Sequence, residues 1–356
     1  MKANSTTYSK KGRLSFSHIA IEVLSRKFPN ILSLTLAILP AFFSACSKSE
    51  RATSPVEYSV PLDLRYTSSV MLGGALDMFV FDNDASGRLD SYTHINEPSG
   101  NIVSTASKKG EKRILAVANA GKRLYDWGVF GSFQAAGTAS AHLEDETPEK
   151  PLLCGTAVFE AGIGERTGIV MSPILSRVRI KSIQCDFHSR PYEGLDMTEA
   201  KAYLTNVCTA AYLAPPDSLI SGTEYVNIGG WSDGDTSGSR LWSMLRCDIP
   251  EPVGAKKISV GKALYCYPNP LIGGDRREHV TKLVIEGKIG GHTYYYPVPL
   301  SVSAGGIARG ADYEVSITIT QLGTDDPDGS LAAGALSFTI YVNDWKDKAE
   351  ETVPFN

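Results

Sequence analysis

Paired metal-binding cysteines are missing from this sequence of 356 residues. None of its six cysteines forms a Cys-x-x-Cys pair, and no set of cysteines and histidines has the spacing zinc requires, which argues against a zinc module and a redox dithiol. Six cysteines in a chain of this length do not make a disulfide scaffold either. No glycine-rich phosphate loop stands between a strand and a helix. No repeat of fixed period runs through the chain, and strands do not alternate with helices. Long apolar runs are also lacking. The best of them, "ILSLTLAILPAFFSA" at 31–45, is broken by a proline and falls short of the roughly 20 residues that a spanning helix needs.

That short run has a context. Ahead of it stand Lys2, Lys10, Lys11, Arg13, Arg26 and Lys27 against a single acid, Glu22. A basic region, a short apolar region and a small-residue exit form the pattern of a secretory signal. The exit, Phe43-Ser44-Ala45-Cys46, resembles a bacterial lipobox, with Phe43 where leucine is usual. The reading expects residues 1–45 to be a lipoprotein signal peptide and Cys46 the lipidated residue. Several acyl chains, at ~0.8 kcal/mol per buried methylene, hold such a protein on a membrane. An ordinary signal peptide followed by an incidental cysteine is the alternative. Beyond residue 45 positive charge is scarce, with 29 Lys and Arg against 38 Asp and Glu, a net charge of −9. Nucleic acid, whose phosphates select clustered Lys and Arg, is not an expected partner.

The body of the chain is rich in short runs of Val, Ile, Thr, Tyr and Phe parted by Gly, Pro, Asn and Asp, which predicts an all-β fold. Strands are expected in "ALDMFVFD" (75–82), "RILAVANA" (113–120), "GIVMSPILSRVRIKSI" (168–183), "KISVGKALYCY" (257–267), "TKLVIEGKI" (281–289), "HTYYYPVPLSV" (292–302), "ADYEVSITIT" (311–320) and "LSFTIYVNDW" (336–345). "DNDASG" (82–87) is expected to turn the chain, and Gly290-Gly291 to close a hairpin. "TEAKAYLTNV" (198–207) favours a helix by propensity, yet also fits a strand with Ala202, Leu204 and Asn206 on one face. "DKAEET" (347–352) is read as a loop.

Candidates for chemistry are few. "GWSDG" (230–234) matches Gly-x-Ser-x-Gly, with His279 and His292 downstream. The residues after Ser232 disfavour the helix that a nucleophile elbow needs, and a surface loop explains the same letters. "DNDASG" opens like a calcium loop, but Thr93 stands where the closing glutamate belongs. No active site, cofactor or metal is expected. Cys154, Cys185, Cys208, Cys247 and Cys266 are read as buried small hydrophobes, and their odd number leaves at least one thiol unpaired within a chain.

Several of these segments resemble the fimbrillin family, the lipoprotein subunits of Bacteroidales type V pili. The likeness runs through "LDMFVFDNDASGRL" (76–89), "RILAVANAG" (113–121), "SPILSRVRI" (172–180), "AKAYLTNV" (200–207), "ALYCYPNP" (263–270), "YYYPVPLS" (294–301), "IARGADYEVSITITQLGTDDPD" (307–328) and "YVNDWKDKAEETVPFN" (341–356). Gly310 stands where many relatives have asparagine. The resemblance implies two tandem transthyretin-like β-sandwich domains, here 58–171 and 172–356, after a lipidated linker at 46–57. It also implies that 198–207 is a strand. A subunit of this kind is a surface lipoprotein of the outer membrane. It joins the fimbrium after a trypsin-like protease removes the lipid and first strand, and other subunits add a strand in its place. Arg65, after the alternation Val60, Leu62, Leu64, is the expected processing site. The segment 337–356 is the expected donor, with Phe338, Ile340 and Val342 as an apolar face about 13 Å long. Alternatively these residues are the last strand of their own domain. A second function class is a non-polymerising surface lipoprotein that meets a glycan through aromatics such as Trp231 and Trp242.

Overall fold

The computed structural model describes residues 56–67, 74–120, 130–214, 224–231, 240–270, 279–301 and 306–345. In chain order the first strands are β1 (Glu57–Tyr66), β2 (Leu76–Asp82), β3 (Leu89–Ile95), β4 (Ile102–Lys108), β5 (Gly110–Ala118), β6 (Ser140–His142), β7 (Leu153–Ala161) and β8 (Thr167–Pro173). Then come β9 (Ser176–Cys185), β10 (Thr198–Thr205), β11 (Val207–Cys208), β12 (Ala210–Tyr212), β13 (Tyr225–Val226), β14 (Arg246–Asp248) and β15 (Leu264–Cys266). The last are β16 (Asn269–Pro270), β17 (Lys282–Ile289), β18 (His292–Pro299), β19 (Gly306–Ile307), β20 (Ala311–Ile319) and β21 (Leu336–Asp344). Two short helices, α1 (Phe133–Gly137) and α2 (Arg240–Leu245), interrupt them, and the sequence reading foresaw neither.

Apart from β6, the strands before Ser176 build one seven-stranded sheet in the order β3-β2-β5-β7-β8-β1-β4. Those from Ser176 onward build two four-stranded sheets, β14-β10-β17-β18 and β15-β9-β20-β21, and the short strands form the pairs β11-β13, β16-β19 and β12-β6. Within the seven-stranded sheet only β1 and β8 run parallel. The sheet curls until its two end strands, β3 and β4, hydrogen-bond through side chains. Leu62, Leu64, Met78, Ile114 and Ile169 fill its inside. β2 explains why "LDMFVFD" is apolar without alternation. Its even positions, Leu76, Met78 and Val80, face that inside. Phe79 and Phe81 face a second core with Leu115, Ile180, Leu204, Leu283 and Val315. A strand covered on both faces has no solvent side to mark with polar residues. The pair β6–β12 also ties the early strands to the late ones.

Most expected turns and strands are in place. Asp84 accepts the N–H groups of Ser86 and Gly87, so "DNDASG" is a turn after β2. Gly290 and Gly291 both have positive φ (60° and 84°) and close the β17–β18 hairpin. The run 168–183 is two strands, because the chain leaves β8 at Ile174-Leu175 and starts a new sheet with β9. "KISVGKALYCY" yields only the short β15, with Ile258 making one isolated bridge to Ile183. The segment 198–205 is a strand despite its propensity, since β14 and β17 pair with it on either side. Asn206 does not continue it. Its φ is 55°, and its buried side chain bonds Val280 and Gly229 instead. Residues 1–55 and 346–356 lie outside the described residues, so Cys46 and "DKAEET" do too.

Candidate functional site

β1 sits inside the first sheet, not on its rim. Glu57–Asp63 pairs antiparallel with β4, and Leu62–Tyr66 pairs parallel with β8. Pro61 has no N–H to offer and stands just before the ladder with β8 begins. Val60, Leu62 and Leu64 are buried, the two leucines completely. Arg65 lies on the outer face with its side chain 69% exposed, 3.3 Å from Asp63. The ladder with β4 has ended by then, after a last bond from the Leu64 N–H to the Asn101 carbonyl (2.8 Å). Among the described residues, the Arg65–Tyr66 bond therefore has a backbone partner on one side only, in β8.

β21 is the edge of its sheet and pairs with β20 along its whole length. Its inward positions, Phe338, Ile340 and Val342, stand opposite the buried Ile317, Val315 and Tyr313. Phe338 and Val342 are poorly covered, 45% and 40% exposed, while Ile340 is partly buried against the core. Only the next residue is seated: Trp345 is 2% exposed, under the Arg177 guanidinium at 4.9 Å and beside Tyr265. Arg177 is fixed in turn by the buried Asp312 (2.9 Å). The strand is thus held by a backbone ladder, by the partly buried Leu336 and Ile340, and by the anchor Trp345. The sequence reading passed over Trp345. Its signal was an aromatic closing an alternating run at the point where the alternation fails.

Among the described residues, the other candidates are placed as follows. Trp231 and Trp242 pack edge to face at 4.7 Å, with Tyr203 and Arg246 around Trp231, so they are packing residues at the margin of the core. Ser232 lies outside the described residues. The His279 ring lies 5.1 Å from Tyr225, and His292 opens β18. All five described cysteines are buried and none is in a disulfide. Burial pushes the Cys154 thiol up to about 11 and the Cys185 thiol up to about 12. Glu146 was not foreseen at all. It is buried at the foot of β7, where it accepts the Leu152 N–H (3.0 Å) and the Tyr267 hydroxyl (2.9 Å). Burial raises its carboxyl to about 7 against the pull of those bonds and of Arg309. Arg309 donates to the carbonyls of Tyr212 (2.8 Å) and Leu213 (2.6 Å), so this cluster ties the β6–β7 loop to the late strands.

Several solved structures share this arrangement. A candidate cell adhesion protein of Bacteroides eggerthii superposes with a TM-score of 0.62 at 13% identity, over 82% of this chain and 97% of its own. One from Parabacteroides distasonis gives 0.60 at 14%, over 82% and 98%. A fimbrilin of Porphyromonas gingivalis gives 0.60 at 16%, over 81% and 97%. The fold is that of the fimbrilins. No family model and no curated protein matches the sequence, so the likeness lies in the path of the backbone. In this fimbrilin fold β1 and β21 are the first and last described strands, one in the interior of its sheet and one at the edge.

Proposed function

We propose that this chain is a structural subunit of a fimbrillin-type pilus, exported as a lipoprotein on Cys46 and joined to its neighbours by strand exchange. In this reading a protease cuts after Arg65 and β1 leaves. A neighbour's C-terminal segment, with Phe338, Ile340 and Val342, fills the vacancy. The observation that carries the reading is the position of β1. Its removal opens a groove flanked by β4 along residues 57–63 and by β8 along residues 62–66, lined where Val60, Leu62 and Leu64 had been buried. Such a groove offers unpaired backbone groups and apolar pockets together, which is what strand addition uses. β21 suits the part of the incoming strand because seven of its nine residues, Phe338 and Val342 among them, are exposed. The fold likeness to a fimbrilin and to candidate cell adhesion proteins supports the same reading. Processed protein, heated mildly in SDS, is expected to run as a ladder of multimers. A single monomer band from cells that carry the processed form would sink the proposal.

A further inference from the structure

Removing β1 raises a question about its neighbour. Among the described residues β4 has one backbone ladder, the one with β1. Once β1 is gone, the chain connections to β3 and β5 keep β4 nearby but do not set its register. What remains is the seam with β3. The Ser91 hydroxyl donates to the Ala106 carbonyl, and the hydroxyls of Thr93 and Thr105 meet at 2.8 Å. Asp90 accepts the Ser107 hydroxyl and the Lys108 N–H, both at 2.9 Å, and pairs with the Lys108 ammonium at 3.3 Å. Asp90 is itself buried against the ammonium of Lys112 on β5, 3.3 Å away, and Lys112 also holds Asp82 of β2 at 2.5 Å. The seam therefore reaches the interior strands of the sheet, and none of these bonds is made by a residue of β1.

We propose that this seam is a clasp that keeps β4 in place as one wall of the groove after β1 has left, so that an extended strand of a second copy finds both walls in register. The inference rests on the strand-exchange reading. Asp90 is its positioning residue, because one carboxylate gathers a side chain, a backbone N–H and an ammonium of β4. Bonds of this kind, lost together from a buried site, are worth about a tenfold change in affinity or more.

The test uses the full chain. Leu62→Asp places a charge at a fully buried position of β1 and is expected to expel that strand. A labelled synthetic peptide of residues 56–66 then probes the vacated groove by fluorescence anisotropy. Leu62→Asp is expected to take up the peptide. Leu62→Asp with Asp90→Ala is expected to bind it at least tenfold more weakly. Asp90→Ala alone, with β1 seated, is expected to keep a cooperative thermal transition. Equal uptake with and without Asp90 overturns the proposal, as does no uptake by Leu62→Asp. Loss of the transition in Asp90→Ala alone also overturns it, since the seam would then hold the fold in every state. A second peptide, residues 336–345, separates the two ideas. If it fails to bind where the 56–66 peptide binds, the donor assignment falls and the clasp stands.

Discussion

At the residue scale the buried acid Glu146 makes the sharpest prediction. Its folded pKa of about 7 lies above the ordinary value of 4.5. The folded protein thus holds that proton more tightly than the unfolded chain. The associated stability is fully present below pH 4.5 and is lost as pH rises through 7, about 3 kcal/mol in all. His94 acts in the same direction. The bond to Asp77 (2.7 Å) and then the bond to Asn96 (3.0 Å) raise its pKa above 6.5, so its contribution is also lost as pH rises through the raised value. Unfolding free energies from urea titrations between pH 5 and 8.5 should fall for the native protein. In Glu146→Gln, which keeps a neutral hydrogen-bonding group, the fall should be smaller by roughly 2–3 kcal/mol. Parallel profiles for the two proteins would contradict the assignment. Neither effect was legible in the sequence. Glu146 lies in a polar stretch, "HLEDETPEK", that reads as solvated loop, and only the arrival of Tyr267 and Leu152 over it makes it a core residue.

At the element scale β1 and β21 differ in how they are held, and each difference can be measured. Arg65 is exposed, but its peptide bond is laddered to β8, so a protease must first peel back the end of β1. Arg65→Ala is expected to leave the surface form uncut, whereas N-terminal sequencing of the native surface form should begin at Tyr66. A native form that begins at another residue would move the site. Deleting 337–356 tests the last strand. Seven of the nine residues of β21 are exposed, so the truncated chain is expected to keep a cooperative thermal transition and to lose its ladders in SDS. Its stability should drop by about 3–5 kcal/mol because Trp345 goes with the strand. A truncation that still polymerises removes the donor assignment. Loss of all cooperativity returns β21 to the core of its own domain. The alternation of 336–344 predicted a strand with one apolar face. It did not predict that the face would be half bare, because coverage depends on how far the opposite sheet extends.

For the whole molecule, the proposed lipoprotein export is tested at Cys46. Cys46→Ala is expected to abolish labelling by a palmitate analogue and to leave the protein in the soluble periplasmic fraction. Persistent labelling of the variant would show that the lipid sits elsewhere. A net charge of −9 beyond residue 45 suits a surface exposed to water and offers no field for nucleic acid.

The sequence by itself determined the β class, the positions of most long strands and the turns at 82–87 and 290–291. Each of these follows from local alternation or from the backbone freedom of glycine and the side-chain bonds of aspartate. Only the tertiary structure decided the rest. It made a strand of the helix-prone 198–205, through partners on both sides, and left most of 257–263 without one. It buried both faces of β2, seated Trp345 under Arg177, and gave β4 a single ladder and a side-chain seam. Those outcomes depend on which distant segments meet, and a local pattern of residues carries no record of its neighbours in space.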